Sequence, residues 1–133
     1  MQFVEAFEEL GYKVPNPRQD WSAEKPDGVC ITLWKADVNW VPPPPKFDLW
    51  KLAEPGQNEW ENLPGHSKRT RHLQRAMSDF DGKVDVVIVG GTPGEGYGTA
   101  DPWLLQQRKN HTWRLTKFDE ATGFFSAACA KLK

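Results

Sequence analysis

The stretch "VDVVIVGGTPGEGYG", Val84 to Gly98, decides the fold. It opens with β-branched residues and closes with five glycines in nine positions. Val84 to Val89 is apolar enough to read as a central strand covered on both faces. The glycines raise a functional question, because strands that end this way often cradle a phosphate. Two phosphate signatures fail. A Walker loop needs GxxxxGK followed by Ser or Thr. Here Gly91 opens a frame in which Gly96 is followed by Tyr97, and no lysine lies between residues 84 and 107. The dinucleotide fingerprint GxGxxG fails too: Gly94, Gly96 and Gly98 give GxGxG, with Glu95 inside to repel a phosphate. Gly90 to Gly98 therefore reads as a loop that leaves the central strand and resets direction, with a lid over a pocket as the alternative.

Outward from that strand the other elements follow. "GHSKRTRHLQRAMSDFDG" reads as a helix from His66 to Phe80, with Leu73, Ala76, Met77 and Phe80 as its apolar stripe. "TADPWLLQQR" reads as a short helix with Asp101 as N-cap and Pro102 at the first position. "HTWRLTKFDEATGFFSAACAKL" reads as a hairpin, Thr112 to Phe118 against Phe124 to Ala130. Near the start, Phe3, Phe7 and Leu10 form one face of a short helix stopped by Gly11. "DWSAEKPDGVCITLWKAD" is a second hairpin, turning at Pro26-Asp27-Gly28. In its second arm Val29, Ile31 and Leu33 share one face, and Cys30, Thr32 and Trp34 the other. "VNWVPPPP" reads as a rigid extended segment, "KFDLW" as a short edge strand and "AEPGQNEWENLPG" as loop. Crossover helices are too few for a doubly wound sheet. The order predicts a single α+β domain over residues 1–133. Its sheet is mixed or mostly antiparallel, with about five to six strands and two or three helices.

Composition narrows the function. The net charge is −1, so no global field recruits nucleic acid. The halves differ, however: residues 1–61 carry 11 acidic and 6 basic side chains, and residues 62–133 carry 7 acidic and 11 basic ones. Seven tryptophans against two tyrosines is the unusual figure. Cys30 and Cys129 show no metal-ligand spacing and read as buried thiols in a reducing, cytoplasmic compartment. "MQFVEAFEEL" is no signal peptide. No apolar run approaches the ~18 residues of a membrane span, so no membrane partner is expected. His66, His72 and His111 lack the spacing of a metal site, and no carboxylate pair is flagged as acid and base. No catalytic residue, metal or cofactor is expected.

Binding residues are easier to name. Lys68, Arg71, His72 and Arg75 fall at i, i+3, i+4 and i+7, a basic stripe that opposes the positive end of its own helix. A phosphate or a facing cluster of carboxylates relieves that repulsion. Trp21, Trp34 and Trp113 fall on strands, where rings beside arginines can stack on a base or hold a cation. Thr112, Arg114 and Thr116 share the polar face of one strand, a surface that can meet phosphate or plain solvent.

Three segments together carry a resemblance: "WSAEKPDGVCITLWKAD", "PGHSKRTRHLQRAMSDFDGKVDVVIV" and "WRLTKFDEATGFFSA". The pattern resembles uncharacterised small single-domain proteins, some encoded on mobile integron gene cassettes. It is also similar to an N-terminal domain of some HNH-type restriction endonucleases. The second similarity implies a nucleic-acid or modified-base reading module using Trp21, Trp34, Arg71 and His72, without the nuclease segment. The expectation is thus a non-enzymatic module that binds nucleic acid or another anion through Lys68, Arg71, His72, Arg75, Trp21, Trp34, Trp113 and Arg114. The alternative is a protein-interaction or accessory protein, with a protein partner or self-association.

Overall fold

The computed structural model describes residues 1–92 and 96–131. Its strands are β1 (Ser22–Lys25), β2 (Gly28–Trp34), β3 (Lys46–Asp48), β4 (Lys83–Thr92), β5 (Gly96–Pro102), β6 (His111–Asp119) and β7 (Phe124–Lys131). Its helices are α1 (Phe3–Glu9), α2 (Leu49–Leu52) and α3 (Pro64–Asp79). All seven strands join one sheet in the order β1-β2-β4-β6-β7-β3, with β5 also beside β4. β2 pairs with β4 in parallel and the other pairs are antiparallel. The α+β class and the mixed, mostly antiparallel sheet are as the sequence predicts, with one more strand.

β4 is the centre. Asp85 to Val89 pair with β2 on one edge. On the other edge Lys83 and Val84 pair with β6, and Val87 to Thr92 pair with β5. Both faces are covered. Val84, Val86 and Ile88 join Val29, Ile31 and Leu33 in one core. Val87 and Val89 join Cys30, Phe3, Phe7 and Tyr12 in the other. Asp85 is the one polar residue in this run, and the Tyr12 hydroxyl donates to its Oδ2 at 2.6 Å. Burial, reinforced by Asp85, pushes the Tyr12 hydroxyl well up, so it stays protonated and can donate.

The two faces are covered by different means. On the first side α1 and Tyr12 lie over β1, β2, β4 and β5. On the second side α3 crosses β1, β2 and β4. The rest of that side is closed by the connection through residues 38–63, where Trp40, Trp50 and Trp60 pack against the core. A connection with little regular structure covers a core best with large side chains, because each indole buries roughly 150–250 Å². That is a physical reason for so many tryptophans. On the first side, β6, β7 and β3 have no such cover: Lys46, Arg114, Thr116 and Ala130 are exposed there.

Four local readings change. The glycine-rich stretch is mostly a hairpin: β4 runs on through Gly90 to Thr92, and β5 returns from Gly96. Residues 93–95, with Gly94 and Glu95, lie outside the described residues. Asp101 and Pro102 end β5 instead of opening a helix, and the helical turn is a short 3₁₀ segment at Leu105–Gln107. A proline at the end of a strand gives up little of the ladder. "VNWVPPPP" is a closed loop, because Asn39 and Lys46 exchange backbone hydrogen bonds of 2.8 and 3.0 Å. Met77 is exposed, and α3 instead turns Gly65, His66, Arg69, His72, Leu73 and Ala76 inward.

Replacing Tyr12 by Phe removes the donor to Asp85 and leaves a part-buried carboxylate short of a partner. The expected cost is about 1–3 kcal/mol, read as a lower urea midpoint with an unchanged slope.

Candidate functional site

The basic stripe of α3 is largely committed inside the protein. Lys68 Nζ lies 3.0 and 3.1 Å from the carboxylate oxygens of Asp20, which is itself buried. Arg75 clamps the β1–β2 turn: its Nη1 donates to the Lys25 carbonyl at 2.9 Å and its Nη2 to the Pro26 carbonyl at 2.8 Å. It also sits 3.4 Å from Glu24 and from Asp79. His72 is buried, with Nδ1 2.7 Å from the Ser22 hydroxyl and Nε2 3.8 Å from Glu24. That pairing suits the tautomer in which Nε2 holds the proton and Ser22 donates to Nδ1. Burial pushes the His72 pKa down, and Glu24 partly opposes it. Arg71 alone is exposed, with no ion pair among the described residues. The facing carboxylates are therefore Asp79, four residues along the same helix, and Asp20 and Glu24, which spacing along the chain did not reveal.

The tryptophans separate. Trp21 stays beside α3: its ring lies 6.4 Å from Trp60 and 6.3 Å from His66, and the Arg69 guanidinium stands over it at 5.0 Å. Trp34 packs on the α1 side, away from that cluster. Trp113 is fully buried against Trp103, so it has no surface to offer a ligand. Arg114 is exposed on the uncovered part of the α1 side, 3.5 Å from the carboxylate of Asp81. The eight residues named from the sequence thus occupy different sides of the sheet.

The sheet also builds a surface that strand-by-strand reading missed. Lys46 pairs with Ala128, Ala128 with Arg114, and Arg114 with Lys83. Directly paired residues point to the same side, so three cations line up across four strands, spanning roughly 14 Å at about 4.8 Å per strand. Thr112, Ala130, Thr116 and Ser126 flank the row, and the Thr116 and Ser126 hydroxyls lie 2.8 Å apart. At one end of the same hairpin is a cleft of about 570 Å³. Its walls carry Arg108, Lys109, His111 and Lys131 beside Trp103 and Pro43 to Pro45, with no carboxylate among them. Trp103 forms its apolar wall, stacked on Trp40 at 6.3 Å and covered by the Arg108 guanidinium at 4.2 Å.

Among the described residues no group of His, Cys, Asp and Glu is placed to hold a metal ion, and no helix is long and apolar enough to cross a membrane. No protein-family model, curated protein or solved structure matches the chain.

Two outcomes test this geometry. A Cβ at Gly65 would stand 2.7 Å from the Trp21 ring and also meet the Gln19 carbonyl. Gly65→Ala should therefore destabilise by about 1–3 kcal/mol, where an exposed helical glycine gains up to about 1 kcal/mol from the same change. Calorimetry, with tryptophan fluorescence to follow Trp21, reads the sign. His72 titrates lower folded than unfolded, so its contribution is full above pH 6.5 and is lost as pH falls and the unfolded chain takes up the proton first. Urea midpoints from pH 7 to 5 should fall less steeply in His72→Asn.

Proposed function

We propose that the protein is a non-enzymatic nucleic-acid-binding module that meets the phosphate backbone with the uncovered side of β6, β7 and β3 and with Lys83 at the start of β4. The observation that carries this reading is the row Lys46–Arg114–Lys83, flanked by Thr112, Thr116, Ser126 and Ala130, with Asp48, paired with Ser126, as the carboxylate on its β3 edge. Lysine and arginine neutralise phosphates, and threonine and serine hydroxyls donate to their oxygens. Among the described residues of β6, β7 and β3 this side presents no aromatic ring, so it suits backbone contact rather than base reading. The cations of the adjoining cleft extend the positive surface round the end of the β6–β7 hairpin. The ion pair of Arg114 with Asp81 competes weakly, because Asp81 is 89% exposed. The reading keeps the nucleic-acid side of the similarity to the domain of HNH-type endonucleases. Two buried free thiols suit a reducing, cytoplasmic compartment.

Labelled single-stranded DNA and RNA, titrated at several salt concentrations, test it. Binding should weaken steeply with salt through counterion release, and Lys83→Ala/Arg114→Ala should flatten the slope by about 1.4. Arg71→Ala, on the other layer, should leave the slope unchanged. A double variant indistinguishable from the wild type, or no binding at low salt, overturns the proposal.

A further inference from the structure

The α3 side holds a buried cation that the protein does not neutralise. Arg69 is only 9% exposed. Its guanidinium carbon lies 5.0 Å from the Trp21 ring and 5.1 Å from the Phe125 ring. Its Nε has no hydrogen-bond partner. No carboxylate among the described residues lies within ion-pair distance of it. Burial draws its pKa down to about 10, so it remains charged at neutral pH. Cation–π contacts offset part of the cost of burying a charge, but they leave Nε without a partner. An arginine lying over two rings with its Nε unpaired keeps a donor free for an oxyanion.

His66 sits one turn earlier on α3 and adds a second unused group. Its Nε2 faces the Thr122 carbonyl at 2.8 Å. A carbonyl only accepts, so Nε2 carries the proton, and Nδ1 is left as a bare acceptor. That Nδ1 is buried and has no partner. The ring is held between Trp60 at 5.3 Å and Trp21 at 6.3 Å. Gly123 presses on its other edge, where a Cβ would stand 2.8 Å from Cε1. The cluster is thus rigidly framed, and Trp21, Trp60 and Thr70, only partly buried, bring its rim to solvent. It contains an unused donor on Arg69 and an unused acceptor on His66. A ligand that satisfies both offers anionic oxygens and one hydroxyl proton.

We propose that Arg69, His66 and Trp21 form a binding site for a phosphate group that retains an O–H, the oxygens facing Arg69 and the hydroxyl donating to His66 Nδ1. The site lies on the opposite side of the sheet from the cation row, so it stands or falls independently of nucleic-acid binding there. The source is free phosphate, or a phosphomonoester in its monoanionic form, which keeps an O–H below its second pKa of about 6.

Trp21 and Trp60 make the test direct. Intrinsic fluorescence and the thermal midpoint would be followed at pH 7 against inorganic phosphate, sulfate and chloride at matched ionic strength. Phosphate keeps an O–H at this pH and sulfate does not. Saturable binding is expected, at least tenfold tighter for phosphate than for sulfate, lost in Arg69→Met and weakened in Arg69→Lys. Methyl phosphate, compared with inorganic phosphate at about pH 5.5, where both keep an O–H, separates the sources: equal binding assigns the site to a phosphomonoester, and loss assigns it to free phosphate. A non-saturating response, an equal response in Arg69→Met, or sulfate matching phosphate overturns the site. If Arg69→Met does not fold, saturation in the wild type and its weakening in Arg69→Lys decide the question.

Discussion

Everything in this molecule depends on β4 being paired on both edges and covered on both faces. Such a strand spends its backbone polar groups on ladder bonds to both neighbours over Val87 to Val89 and buries alternate side chains in two separate cores. The constraint explains why Val84 to Val89 is nearly all β-branched, and why the lone Asp85 needs the Tyr12 hydroxyl. It also explains the two coverings. Hydrophobic residues pointing both ways need a layer on each side, and three helices, one of them four residues long, are too few to supply both completely.

The shortage of helix has two consequences. On the α3 side, tryptophans from the 38–63 connection fill the gap; Trp60 and Trp21 frame His66, and Trp21 and Phe125 hold Arg69. On the α1 side the gap is left open, and β6, β7 and β3 present cations and hydroxyls to solvent. Both candidate binding surfaces arise from incomplete coverage of one sheet, the first by overfilling with rings and the second by leaving strands bare.

The charges of α3 show how far sequence reading reaches into a site. The repulsion among Lys68, Arg71 and Arg75 is real, and the sequence correctly demanded a counter-charge. Asp20 and Glu24, which supply most of it, lie about 50 residues away along the chain and reach α3 only because the β1–β2 hairpin docks beside it. Arg69 was legible only as one more basic residue. Its burial follows from helix register: the inward face begins at Gly65 and His66, where the close approach of Trp21 and the 122–123 turn sets the rotation. That rotation overrode the apolar stripe that Met77 was expected to share.

Sequence alone determined the fold class, the central strand, both outer hairpins, the capped first helix and α3. These depend on period-two and period-3.6 patterns and on turn residues such as Pro26-Asp27-Gly28 and Gly11, which act over a few positions. It also identified Arg114 and its threonine neighbours as one strand face. Only the tertiary structure decided which strands neighbour one another, that Gly90 and Gly96 belong to a hairpin, and that Lys46 and Lys83 align with Arg114. Only it revealed that Arg69 is buried without a counter-charge. Register across strands and rotation of a helix are set by packing between distant segments, and no local pattern encodes the distance between two residues that meet only when the sheet closes.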